Sequence, residues 1–129
     1  MYSTIEVSVG KGHLCIKATI IKTHDGIAIY VGGGEKTHIG TVVISQPRAS
    51  LDNENVSRST NSIINTIGHK DDEIAIPIAE EVCQKFKVMT VVTAGIHIEN
   101  ADVIDIENIK SNCEKLKFLI IDKLAETYY

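Results

Sequence analysis

Tryptophan is absent from this chain, and the aromatic residues that remain are two phenylalanines and four tyrosines. A broad aromatic wall for stacking a ring ligand is therefore not to be expected. Arginine occurs only at Arg48 and Arg58, so every other permanently basic side chain is a lysine. No apolar run approaches the roughly 18 residues that a membrane-spanning helix requires. The N-terminal MYSTIEVSVG lacks a basic stretch followed by an apolar core, so no signal peptide is expected. The cysteines Cys15, Cys83 and Cys113 are far apart and form no CxxC pair. That speaks against a zinc ribbon or a thioredoxin-type centre, and for buried reduced thiols in a cytoplasmic protein. Dense basic blocks are missing too. With a net charge of −4 and a pI near 5.7, neither nucleic acid nor a membrane surface is an expected partner.

What is present suits one globular domain spanning 1–129, with 43% hydrophobic and 23% charged residues. Ile5, Val7 and Val9 alternate with Glu6 and Ser8, the period of a half-buried strand. A turn at Gly10–Gly12 leads to a second alternating run, residues 13–23. His24-Asp25-Gly26 then has the chemistry of a tight hairpin. A third strand, 26–31, runs into three glycines, and HIGTVVIS at 38–45 makes a fourth. These four read as an antiparallel meander. Residues 46–72 are rich in Asn, Ser, Thr and Asp and read as a long loop, with a short helical turn possible at 59–67. Beyond it, Asp71 and Asp72 are suitable caps for a helix carrying Ile74, Ile78, Val82 and Phe86 on one stripe. Pro77 fits if the regular helix begins there or just before. The apolar run 88–98 is a central strand, and Asp105 caps a last helix to about Glu126. The expected fold is α/β of the α+β type: a mainly antiparallel sheet of about five strands with two principal helices on one face.

The stretch YVGGGEKTHIG, residues 30–40, places Gly32, Gly33 and Gly34 near His38. Three consecutive glycines serve either a turn needing positive φ or a close approach by a ligand or another backbone. The spacing is neither GxxxxGK[ST] nor GxGxxG, so a nucleotide loop is unsupported, while a backbone nest for an anion stays open. His38, His69 and His97 lie at a strand start, a loop–helix junction and a strand end. They could be satisfied locally, bind a metal, or line a pocket for an anionic organic ligand with Gly95. No HxH or HExxH spacing marks a metal. Arg48 and Arg58 both fall in the polar segment, and Lys36 and Lys70 flank two of the histidines. Arginine is the side chain suited to bidentate phosphate contacts.

IYVGGGEKTHIGTVVIS, then GHKDDEIA, then VVTAGIHIENAD together resemble the LpdD-like family. The resemblance implies a non-catalytic chaperone that holds prenylated FMN, with FMN itself a candidate ligand, and delivers it to a UbiD-like decarboxylase. A flavin prenyltransferase is a further candidate partner, and a homo-oligomer is expected. The expected cofactor contacts are Gly32, Gly33, Gly34, His38, Arg48, Arg58, His69, Lys70, Gly95 and His97. The rival readings are a small metal-dependent hydrolase using the three histidines, and a ligand-free assembly subunit.

Overall fold

The computed structural model describes residues 1–66 and 71–128. Six strands form one sheet: β1 (Ser3–Val9), β2 (Ile16–Lys22), β3 (Gly26–Gly34), β4 (Lys36–Ala49), β5 (Ser57–Asn65) and β6 (Met89–His97). Two helices, α1 (Asp72–Phe86) and α2 (Val103–Tyr128), complete the architecture. The class matches the expectation, with one strand more than anticipated. Neither helix is long and apolar enough to cross a membrane.

The β1–β2–β3 meander forms as the alternation foretells, and the Asp25-Gly26 turn is closed by Thr23 N–H and Thr23 Oγ1, both donating to Gly26 O at 2.9 Å. The fourth strand does not continue it. The sheet order is β1-β2-β3-β6-β4-β5, so β6 lies between β3 and β4. It runs parallel to β3 and antiparallel to β4. An interior strand with neighbours on both sides suits the near-continuous apolar run VMTVVTA, though Val91 and Thr93 on the helix-free face stay half-buried.

Segment 46–65 is mostly strand pairing, with only 50–56 left as the connection. β4 runs on to Ala49, and β5 returns beside it from Ala49↔Ser57 to Thr41↔Asn65. No helical turn forms across 59–65, and Ile67 lies outside the described residues. The pairing was hidden because the positions of β5 facing α1 are polar. Asn61 Nδ2 donates to Glu80 Oε1 at 2.6 Å, and Gln84 Nε2 donates to Ser59 Oγ at 3.2 Å. Polar cross-links there do what apolar contacts do elsewhere, so no hydrophobic period marks the strand.

Both helices cover the same face of the sheet, α1 over β4, β5 and β6, and α2 over β1 and β2. Ile16, Ile20, Val31, Val43 and Val92 meet Ile78, Val82, Leu116, Ile120 and Leu124 there, all essentially inaccessible to water. Register places Thr19, Tyr30, Thr93, Val42 and Ile64 in one row on the opposite, helix-free face. Ile21, Ala28, Val91, Ile44 and Ser62 form the next row.

Asp71 takes the N-cap position of α1 as expected, but the place of Pro77 and the start of α2 differ from expectation. α1 begins at Asp72, so Pro77 stands inside it and removes the donor that Glu73 O would otherwise receive. α2 begins at Val103 and is capped by Asp102, not Asp105. Asp105 N–H donates to Asp102 Oδ1 at 2.7 Å, and Asp102 N–H donates back to Asp105 Oδ2 at 3.3 Å, a reciprocal capping box.

Candidate functional site

The β4–β6 ladder is interrupted at one place. Thr37 pairs with Ile96 and Thr41 with Ala94, so residues 38–40 of β4 stand opposite Gly95 alone. This bulge carries the chain of His38 over Gly95 so closely that a Cβ at 95 would run into the His38 carbonyl. A Cβ at Gly40 would likewise strike the Asp71 carboxylate. Bulges re-aim side chains next to functional sites. Here the side chain re-aimed is His38.

Asp71 ties the bulge to the helix layer. It occupies the N-cap position of α1 yet makes no side-chain cap bond. Its Oδ1 instead accepts the Ile96 N–H at 3.2 Å where the ladder is broken, and Oδ2 lies 3.2 Å from His38 Nε2. A carboxylate only accepts, so Nε2 carries the hydrogen in this contact. The Asp71 side chain is 10% exposed and that of His38 is 22% exposed, so the pair sits largely out of water. Tyr30 fixes the other side of the bulge, its hydroxyl donating to His38 O at 2.9 Å.

His97, at the end of β6, brings its ring centroid to 6.4 Å from that of His38, edge to face at 78°. Its Nε2 is 3.4 Å from Glu99 Oε1, which also receives Lys36 Nζ at 3.3 Å. The Lys36 hydrogen bond first, and that of His97 second, hold the Glu99 carboxyl below its ordinary range. Each imidazole therefore has a carboxylate beside it. The His97 side chain is 40% exposed, so this end of the site is open.

Two of the three expected histidines thus converge, while His69 and Lys70 lie outside the described residues. The glycines have a packing reason. A Cβ on Gly32 would stand 2.8 Å from the Tyr30 ring, and one on Gly33 would stand 2.7 Å from Cys15 O. Gly34 has φ +78° and faces the His97 carbonyl. The N–H groups that a nest would need are engaged: Gly34 N–H donates to Cys15 O at 3.2 Å and Glu35 N–H to His97 O at 2.8 Å. Gly32 and Gly33 sit inside ladders on both sides. The triple glycine admits close approach of the protein's own chain, and no anion nest forms there.

Arg48 and Arg58 are brought together, but elsewhere. They are register partners on the β4–β5 hairpin. Seven residues of strand separate Arg48 from Thr41, about 23 Å at 3.3 Å each. That exceeds the reach of a ribityl chain from a flavin ring to its phosphate. Arg48 bonds Thr60 Oγ1 at 3.1 Å and Ala49 O at 3.1 Å within its own hairpin. Asp71, Tyr30 and Glu99 are the site residues that sequence reasoning passed over. Asp71 was legible only as a cap, since nothing in GHKDD says that one carboxylate will turn away from its helix.

Among the described residues, no group of three His, Cys, Asp or Glu side chains could hold a metal ion. A cavity of about 420 Å³ opens between α1, α2 and the end of β6, walled mainly by Ile74, Pro77, Ile78, Ile96, Ile98 and Ile109. Cys113 also lines it. Burial, with Asp71 nearby as the lesser cause, pushes that thiol up to about 12.

A family model described as the prenylated flavin chaperone LpdD-like domain matches residues 10–125. Among solved structures, the chain is similar to one in the crystal structure of a novel chaperone complex for yeast 20S proteasome assembly. The identity is 15% and the TM-score 0.61, with 97% of this chain and 96% of that chain covered. At that identity the likeness shows the fold alone. No curated protein matches the chain.

Proposed function

This chain belongs to the prenylated flavin chaperone LpdD-like family, and on that premise we propose that it holds prenylated FMN and hands it to a UbiD-like decarboxylase. The family is one of chaperones, which makes the protein non-catalytic: it binds and orients, and the chemistry belongs to the cofactor once delivered. The observation that carries the reading is the convergence of His38 and His97 at the bulge. Two imidazoles whose Nε2 atoms face carboxylates have Nδ1 as the acceptor nitrogen, which suits the N–H edge of a flavin ring. The adjoining helix-free face of β3, β6 and β4 offers Tyr30, Thr93 and Val42 as a largely apolar floor. In a chain of net charge −4, neutralising the phosphate falls to Lys36 and Lys70. Arg48 and Arg58 stand too far along the β4–β5 hairpin to share it, and the glycines contribute by admitting the bulge. Free FMN is a candidate for weaker binding at the same place.

Native mass spectrometry after co-expression with a flavin prenyltransferase tests the proposal. The expected result is one prenylated FMN per chain, lost in His38→Ala and His97→Ala. Only apo protein in the wild type would overturn it. Near-stoichiometric zinc by elemental analysis, lost on replacing either histidine, would establish the metal hydrolase instead.

A further inference from the structure

We infer that the cavity between α1, α2 and the end of β6 is a second binding site, and that it takes a small aliphatic alcohol. None of His38, His97 and Asp71 lines it, so it is distinct from the histidine centre. Its volume of about 420 Å³ falls within the range of about 300–1,000 Å³ found for small-molecule pockets. At about 30 Å³ for each non-hydrogen atom, the share of a water in the liquid, it holds roughly a dozen such atoms. The walls are branched and aliphatic, chiefly Ile74, Ile78, Ile96, Ile98 and Ile109, and no aromatic side chain is among them. Flat rings gain from stacking on aromatic faces, so this hollow suits a flexible saturated chain instead.

Burial grades along the cavity and gives the ligand a direction. Ile78 and Cys113 at its floor are 1% and 9% exposed, whereas Glu73, Ile106 and Lys110 are open to solvent at its mouth. Burial keeps the Cys113 thiol protonated, so the floor carries no charge. The apolar tail enters first, and the polar head stays at the mouth.

Pro77 indicates what that head is. Proline is the least favourable residue inside a helix, so its place within α1 needs a reason. Its ring forms part of the wall, and its missing N–H leaves Glu73 O without the usual donor. No backbone N–H of another element takes that place among the described residues. A carbonyl so left requires a donor, and a ligand hydroxyl supplies one. The charges at the mouth favour an uncharged head. Lys117 is already held by Glu81 at 2.9 Å and Glu114 at 3.1 Å, while Glu73 and Lys110 pair with no described residue. A carboxylate head would be repelled by Glu73 and an ammonium head by Lys110. A hydroxyl donates to Glu73 O and can accept from Lys110.

Titration of the full chain with 1-decanol, followed by NMR of the isoleucine methyl groups, tests the site without any flavin. Ile74, Ile96, Ile98 and Ile109 are expected to shift together and saturate at one equivalent, while Ile21, Ile44 and Ile64 on the helix-free face stay unmoved. Decanoate and decylamine should bind about tenfold more weakly or worse. Ile106→Trp, at a position 47% exposed, covers the mouth and should weaken 1-decanol by about tenfold. Pro77→Ala returns an N–H to Glu73 O, so it should raise Tm yet weaken 1-decanol by about two- to tenfold. A proline with only a structural role would not produce that split. Should Ile106→Trp not fold, Pro77→Ala decides. The inference is overturned by an absence of saturating shifts, by equal shifts on the helix-free face, or by decanoate binding as tightly as 1-decanol. Wild-type affinity in folded Ile106→Trp or in Pro77→Ala would overturn it too. A chain that takes up 1-decanol but no flavin would refute the cofactor proposal and leave this one standing.

Discussion

Replacing Asp71 by alanine should do more damage than its position at a helix start suggests. The carboxylate accepts two hydrogens at once, from Ile96 N–H in the broken ladder and from His38 Nε2. Alanine leaves both donors without that acceptor in a place that is largely closed to water. A buried group so stranded costs about 1–3 kcal/mol. The Ile96 amide alone therefore sets a loss of that order, and the imidazole adds to it, for about 2–4 kcal/mol in all. For a domain of this size that is a fall in Tm of about 8–16 °C. Asp71→Asn separates the parts. Its amide oxygen can still take the Ile96 N–H, but its NH₂ then faces His38 and requires Nε2 to accept, so the ring hydrogen moves to Nδ1. That variant should lose only about 1 kcal/mol while changing what His38 presents to a ligand. Urea unfolding gives the energies, and nitrogen chemical shifts of the His38 ring give the tautomer. Asp72→Ala, at a half-buried neighbour whose bonds are open to solvent, is the control and should cost under about 1 kcal/mol. If Asp71→Ala cost no more than that control, or Asp71→Asn left the His38 tautomer unchanged, the account of Asp71 as the tie between bulge and helix would be refuted.

Gly95→Ala should destabilise by about 1–3 kcal/mol, because the added methyl meets the His38 carbonyl and can only displace the bulge; circular dichroism on heating reads it. Arg48→Ala and Arg58→Ala should leave flavin affinity within about twofold of wild type, since a lost charge-assisted bond of about 1.5–3 kcal/mol would show as tenfold or more; titration of prenylated flavin distinguishes the two. Cys113 makes stability fall in alkali. Its folded-state pKa of about 12 lies above the ordinary 9.0, so between those values the unfolded chain holds fewer protons. The contribution is complete below pH 9.0 and is lost as pH rises towards 12, at about 1.4 kcal/mol per pH unit at most. Cys113→Ser should flatten that slope in denaturant titrations between those limits. Asp102→Ala should cost about 1 kcal/mol by removing the cap of α2, measured by chemical unfolding.

Local pattern was enough for β1 to β3, for the stripe of α1 and for the buried stripe of α2 though not its start, because in each the burial of one face repeats with the period of the element. The turn at His24-Asp25-Gly26 falls where the sequence places it, although none of its residues takes a positive φ and Thr23 closes it by two bonds to Gly26 O. The three motifs that carry the family resemblance were legible for the same reason: they are contiguous. β5 escaped because its helix-facing positions are polar and bonded to Glu80 and Gln84, which leaves no hydrophobic period to find. The insertion of β6 between β3 and β4 escaped because strand order depends on partners far apart in the chain. No window around Gly34 or Lys36 contains β6. The site was divided in the same way. That His38 and His97 matter could be suspected from their glycine-rich surroundings, but only the folded sheet brings their rings to 6.4 Å. Only the interruption opposite Gly95 turns Asp71 from a helix cap into the partner of His38. The distance of Arg48 and Arg58 from that centre was set by β4 running straight on where composition suggested a loop that could fold back. Sequence alone determined which residues could bury a face or carry a proton, since those are properties of single side chains and their near neighbours. Tertiary structure decided which of them meet, because the bulge, the strand order and the open face arise from contacts between segments tens of residues apart.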